Sequence, residues 1–289
     1  NTVGNNQLLG DIETDSTQTT RFNSTVQAAS LTTDADGETQ LNGSVTTTSD
    51  QTYNDDVRLD NNITLNSTGN GDITFNSTVN SENDNPRDLT IDSGNITFNN
   101  QIGNDQSLGH LQVQVNNTGT ALFNNTVEVT SLRTNTGGST QLNGDVTTTG
   151  GNGQRYDNPV IIGSNINLNS NGQNIIFENT VDGLSSGTNM LTVDTGDGTI
   201  EAKNIIGGST ALGSLDFSAK EIKIADIGNS GTAGVSNNTQ ISAENGTINF
   251  TGTTYNANEQ TYTATNLNVK GTGLTSFISS NDDINFNGN

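Results

Sequence analysis

A five-residue unit recurs along this chain: a large apolar residue, three mostly polar ones, then a β-branched one. Phe22-Asn23-Ser24-Thr25-Val26 returns intact as Phe75-Asn76-Ser77-Thr78-Val79, with relatives at 41–45, 98–102, 123–127, 142–146 and 177–181. A longer period lies over it. Phe22 is answered by Phe123 and Leu41 by Leu142, each 101 positions on, Tyr53 by Tyr156 at 103, and Phe75 by Phe177 at 102. Leu-Gly pairs at Leu9-Gly10, Leu108-Gly109 and Leu212-Gly213 mark three long copies, approximately 9-107, 108-211 and 212-289, within one continuous solenoid over 1-289. In the third copy Gln260-Thr261-Tyr262 still answers Gln51-Thr52-Tyr53. Nested periods of this kind belong to stacked units that bury a core between neighbours.

Short apolar–polar–apolar triplets fill the space between anchors, among them Ile63-Thr64-Leu65, Ile96-Thr97-Phe98, Leu215-Asp216-Phe217 and Ile222-Lys223-Ile224. Such triplets read as half-buried strands of period two. Asn, Gly, Asp and Ser bound them and supply turns, and helical spacing is missing throughout. Strands this short cannot make the broad faces of a sandwich, but they can form the sides of a coil that advances one strand spacing per turn. About 13 coils of about 20 residues, each rising about 4.8 Å, would make a rod about 60 Å long. Parallel crossovers are overwhelmingly right-handed, so the expected fold is all-β: a right-handed parallel β-helix, or β-solenoid. Tandem immunoglobulin-like sandwiches would explain the long period, but neither the short repeat inside it nor the missing Trp.

Composition agrees with a thin core. Only 28% of the 289 residues are hydrophobic and 4% aromatic, with just two prolines, so an ordinary packed globule is excluded. Thirty-one Asp and Glu against nine Lys and Arg give a net charge of −22. That surface repels phosphate backbones and argues against nucleic-acid binding. It would stay soluble and could collect divalent cations. No segment is apolar over the roughly 18 residues a membrane span needs, so no membrane insertion is expected. With no Met or signal peptide at Asn1, the chain reads as a fragment or a processed product, and no polar cap is recognisable at Asn1 or Asn289.

The units Phe-Asn-Ser-Thr-Val and Leu-Asn-Gly-Ser-Val, with stretches such as Gly71-Asp72-Ile73-Thr74-Phe75-Asn76, resemble the repeats of filamentous-haemagglutinin-type exoproteins and large bacterial adhesins. The resemblance covers nearly the whole chain, although the secretion domain such proteins carry at the amino end is not recognisable. It implies a right-handed β-helical shaft, export to the bacterial surface or beyond, and adhesion to glycans or proteins of host or neighbouring cells. The expected function is therefore a structural and adhesive shaft segment without catalysis. One alternative is a subunit of an extracellular filament or sheath, associating end to end. Another is a polysaccharide-acting β-helix enzyme.

Candidate chemistry is sparse. His110 is the single histidine and follows a Leu-Gly turn; the third copy has Ser214 there, so it reads as a surface-loop residue. Asp55, Asp56 and Arg58 could serve a glycan-cleaving groove, yet the next copy near Asp157 and Asn158 has Pro159 and lacks the arginine. Asp34, Asp36 and Glu38 surround Gly37 and are the calcium candidates, since hard cations want several carboxylates about a turn. Their second copy, 135–139, has no acid, which favours an ordinary acidic turn. Asp194-Thr195-Gly196-Asp197-Gly198 reads likewise. Asn-x-Ser/Thr triplets at Asn23, Asn62, Asn66, Asn76 and Asn95 are taken as repeat chemistry rather than glycan acceptors. Thr46-Thr47-Thr48 and Thr147-Thr148-Thr149 raise the thought of an ice-binding threonine array, but no regular outward Thr-x-Thr recurs in each coil.

Overall fold

The computed structural model describes residues 2–4, 7–116, 118–280 and 282–288. Asn1 and Asn289, where caps were sought, lie outside them. Regular structure among the described residues is entirely β. The strands pair in parallel, each with a strand one coil on, and the antiparallel bridge between Asn229 and Thr232 is isolated. Parallel stacking of coils makes this a β-solenoid and excludes immunoglobulin-like sandwiches, whose sheets are antiparallel. Coil length varies more than the expected 20 residues. Stacked partners are 18 apart at Glu38 and Asp56, 22 at Gln51 and Ile73, and 26 at Ile63 and Leu89.

The chain forms two compact units, Asn1–Thr140 and Gln141–Asn289. In the first, the triplets become separate short strands such as Ile73–Phe75 and Ile96–Phe98. Ile73 and Phe75 are buried with Thr74 facing outward between them, as a pleated strand requires. Like side chains then stack on like. Tyr53, Phe75, Phe98 and Phe123 form one buried column with ring centroids 5.0, 4.9 and 5.1 Å apart and planes within 14°.

The two identical pentapeptides are not structurally equivalent. Phe22 and Val26 stack on Leu41 and Val45. Phe75 and Val79 stack on Phe98 and Ile102, in different columns. One sequence therefore turns the chain at two different corners, because each corner asks only for a large apolar side chain, a polar bend and a β-branched one.

A further corner uses buried hydroxyls. Thr47 Oγ1 donates to the Ser49 carbonyl at 2.6 Å, and Ser93 Oγ to the Asn95 carbonyl at 2.8 Å. These bonds satisfy backbone groups where the ladder is interrupted. In the second unit Thr195, Ala219, Ala243 and Ala264 are buried at the bend, with Ala243 stacked directly on Ala264. Triplets that read as separate strands there fuse into Met190–Ala202, Ser214–Ile224, Thr239–Phe250 and Gln260–Val269. Register shifts between Asp194 and Thr199, Ser218 and Glu221, and Ala243 and Thr247 mark bulges at the bend. Bulges let a continuous strand turn. Glycine is required where the coils close up: a β-carbon on Gly246 would collide with the Lys220 carbonyl oxygen.

A Gln-x-Tyr pair accompanies each long copy. Tyr53, Tyr156 and Tyr262 are buried, and each donates its hydroxyl to the glutamine two residues earlier, at 2.9, 2.9 and 2.8 Å. The glutamine amide in turn donates to backbone carbonyls: Gln51 to Asn66, Gln154 to Val146 and Asn169, Gln260 to Ala257 and Ile278. Burying a polar group without such partners is costly.

Candidate functional site

Strand alternation turns every second side chain outward, and stacking repeats it at one strand spacing. On the first unit the residue after each core aromatic is asparagine. Asn76 Nδ2 donates to Asn54 Oδ1 at 2.6 Å, Asn99 to Asn76 at 2.8 Å, and Asn124 to Asn99 at 2.9 Å. Beside this amide ladder runs a row of threonines, Thr32, Thr52, Thr74 and Thr97, in direct register over four coils. Side chains held by neighbours of their own kind present a fixed polar face at little further entropic cost.

The threonine row differs from the Thr-Thr-Thr segments that stand out in the sequence. Thr47 and Thr148 are buried, and Thr46 stands between Gln27 and Asn66. The Thr-Thr-Thr segments therefore straddle the wall of the coil instead of lining its outside. Asn23 and Asn76 both belong to amide ladders, Asn23 accepting from Asn42 at 3.5 Å.

The calcium candidates do not converge. Asp34 accepts from the Ser16 amide at 2.8 Å and from Thr14 Oγ1 at 3.1 Å. The Ser16 bond is the largest influence holding its carboxyl below the ordinary range. Glu38 pairs with Arg58 at 2.9 Å, and Asp36 is exposed. No group of three or more His, Asp or Glu capable of holding a metal occurs among the described residues.

Asp55, Asp56 and Arg58 are likewise separated in role. Arg58 bridges Glu38 and Asp105, each at 2.9 Å. Asp56 faces out and accepts from Ser77 and Thr78. Its partial burial opposes the charge, but these bonds outweigh it and hold the carboxyl below its usual value. Asp55 turns inward, 3% exposed, and accepts from Thr33 Oγ1 at 2.7 Å and Thr39 Oγ1 at 2.9 Å. Burial pushes its carboxyl up, aided by the charge of Asp34 and only partly offset by the two hydroxyls.

This has a consequence for stability against pH. The folded chain holds the Asp55 proton at pH values where the unfolded chain has lost it, so Asp55 favours folding below about pH 4. That contribution is lost as pH rises through its raised folded value. Asp55→Asn should remove this falling contribution. Urea unfolding at pH 4 and pH 7 should show the variant gaining relative to the parent at the higher pH; an unchanged difference would mean that Asp55 is charged in both states.

His110 sits in the strand Leu108–Val115 rather than in a loop, half-buried, with Nδ1 2.9 Å from Ser131 Oγ and its amide donating to Asp88 at 2.7 Å. Its partners are structural. Asp194 receives the Gly196 amide at 2.8 Å at the first bulge of the second unit. In that unit charged pairs also bridge coils, Glu178 meeting Arg155 at 2.7 Å and Lys203 at 2.6 Å, while Lys223 meets Glu221 on its own strand at 3.3 Å. The likeness of Gln260-Thr261-Tyr262 to Gln51-Thr52-Tyr53 marks a repeat in the sequence without revealing the bond inside it. No known protein family, curated protein or solved structure matched the chain.

Proposed function

We propose that the chain is a structural and adhesive β-helical segment of a bacterial surface or secreted protein, working through its stacked faces rather than through a catalytic centre. The observation that carries this reading is the amide ladder Asn54–Asn76–Asn99–Asn124 beside the threonine row. A fixed, repeating array of donors and acceptors suits multivalent contact with a polymer or a cell surface, where many weak bonds add. The acidic residues singled out for glycan cleavage support it in another way, since Asp55 and Arg58 are already engaged in holding the coil. The alternating apolar columns suit extension, because each coil leans only on its neighbours.

The test is retention of the purified chain on bacterial and epithelial cell surfaces and on immobilised extracellular glycans, with reducing ends assayed in parallel. Retention without new reducing ends is expected. Release of reducing ends would make the chain an enzyme, and absence of retention on every surface would leave it no adhesive role.

A further inference from the structure

The second unit carries a cleft of about 570 Å³ lined by Gly196, Asp197, Ser218, Lys220, Glu244 and Asn245. It lies where Met190–Ala202, Ser214–Ile224 and Thr239–Phe250 bend through their bulges. An adjoining cleft shares Asp197, Lys220 and Asn245 and reaches Asn266 on the next coil. The concavity therefore runs across four coils, about 14 Å between the first and last strand. Its origin is local: small residues occupy the bend, and the bulges re-aim the flanking side chains. Its volume lies in the range of ligand sites.

The lining is polar and its charges are uncommitted. Arg58, Arg155, Lys203 and Lys223 all form ion pairs with carboxylates. Among the described residues Lys220, Asp197 and Glu244 form none, although they share one cleft. Serine hydroxyls and asparagine amides accompany them, and no aromatic or large aliphatic side chain does. An apolar peptide or lipid would find no partner here. A chain of hydroxyls would, with Ser, Asn and Lys as donors and the carboxylates as acceptors. Two carboxylates against one ammonium, on a chain of net charge −22, repel polyanions and attract amines.

We propose that this cleft binds a linear oligosaccharide carrying free amino groups, laid across the coils. This rests on the adhesive reading and gives it a ligand class and a place. Asp197 and Glu244 hold sugar ammonium groups; Lys220, Ser218 and Asn245 bond hydroxyls.

The test is calorimetric titration of the intact chain with a β-linked glucosamine hexamer, its N-acetylated form, and oligolysine of equal charge. The glucosamine hexamer should bind best. D197N/E244Q should weaken it about tenfold, whereas E13Q/D15N, which removes equal charge from exposed positions on the first unit, should leave it within about twofold. Thermal unfolding verifies that each variant is folded. Equal losses in the two variants, or equal affinity for oligolysine, would reduce the effect to bulk charge and overturn the cleft. Hexamer binding absent while cell-surface retention persists overturns the cleft alone. Hexamer binding intact with retention absent overturns the adhesive reading and leaves the cleft standing.

Discussion

Replacing Phe98 by alanine should lower stability by about 3–5 kcal/mol. The ring is 1% exposed and lies between Phe75 and Phe123, its centroid 4.9 and 5.1 Å from theirs. Truncation removes apolar area and two offset ring contacts, and the coils above and below are too firmly hydrogen-bonded to close the gap. The effect should be local as well as large, because a solenoid coil has only two neighbours. Hydrogen exchange should therefore quicken first in the strands at Phe75, Phe98 and Phe123. Thr97→Ala, one residue away and facing outward, should change stability by less than about 0.5 kcal/mol. Comparable losses in the two variants, measured by urea unfolding, would show that the aromatic column is not what holds this unit together.

Gln154→Met is expected to be nearly as damaging, for a different reason. Gln154 is fully buried; it accepts the Tyr156 hydroxyl and donates to the carbonyls of Val146 and Asn169. Methionine keeps most of the volume but leaves a buried hydroxyl and two carbonyls short of a partner, at about 1–3 kcal/mol for each group stranded. Tyr156→Phe alone should cost less, since one bond is lost and the glutamine keeps its carbonyl partners. The double variant should be less destabilised than the two single changes added together, because the stranded hydroxyl is then gone. Simple additivity in the denaturation midpoints would mean that the two side chains do not act as a pair.

The strands and the parallel stack were legible because a strand's period and a coil's period both leave marks in residue order. Ile73-Thr74-Phe75 and Ile96-Thr97-Phe98 were read as strands and are strands, to the residue. What residue order concealed was the corners. Leu215-Asp216-Phe217 and Ile222-Lys223-Ile224 were read apart but belong to one strand. The difference lies in a bulge between Ser218 and Glu221 that carries the strand round the bend. Identical pentapeptides were equated although they occupy different columns, since one pattern satisfies two corners. Asp55, Asp56 and Arg58 suggest a shared groove only by their closeness in sequence, and proximity along the chain says nothing about which face of the wall a side chain takes. The cleft was invisible for a related reason: Asp197, Lys220 and Glu244 lie on three coils, and only the bulge offsets bring them to one concavity.

Stacked partners in this chain lie from 18 residues apart, at Glu38 and Asp56, to 28, at Ile227 and Tyr255. Added residues must therefore go sideways, into the segments between corners, as at 82–88 between Ser81 and Leu89. Such a scaffold separates two quantities that most folds tie together. The number of stacked coils is one, and the cross-section of each coil, set by its own length, is the other. Insertions and deletions between corners can then remodel what the surface displays, coil by coil, without altering how many coils are stacked or how firmly one coil grips the next.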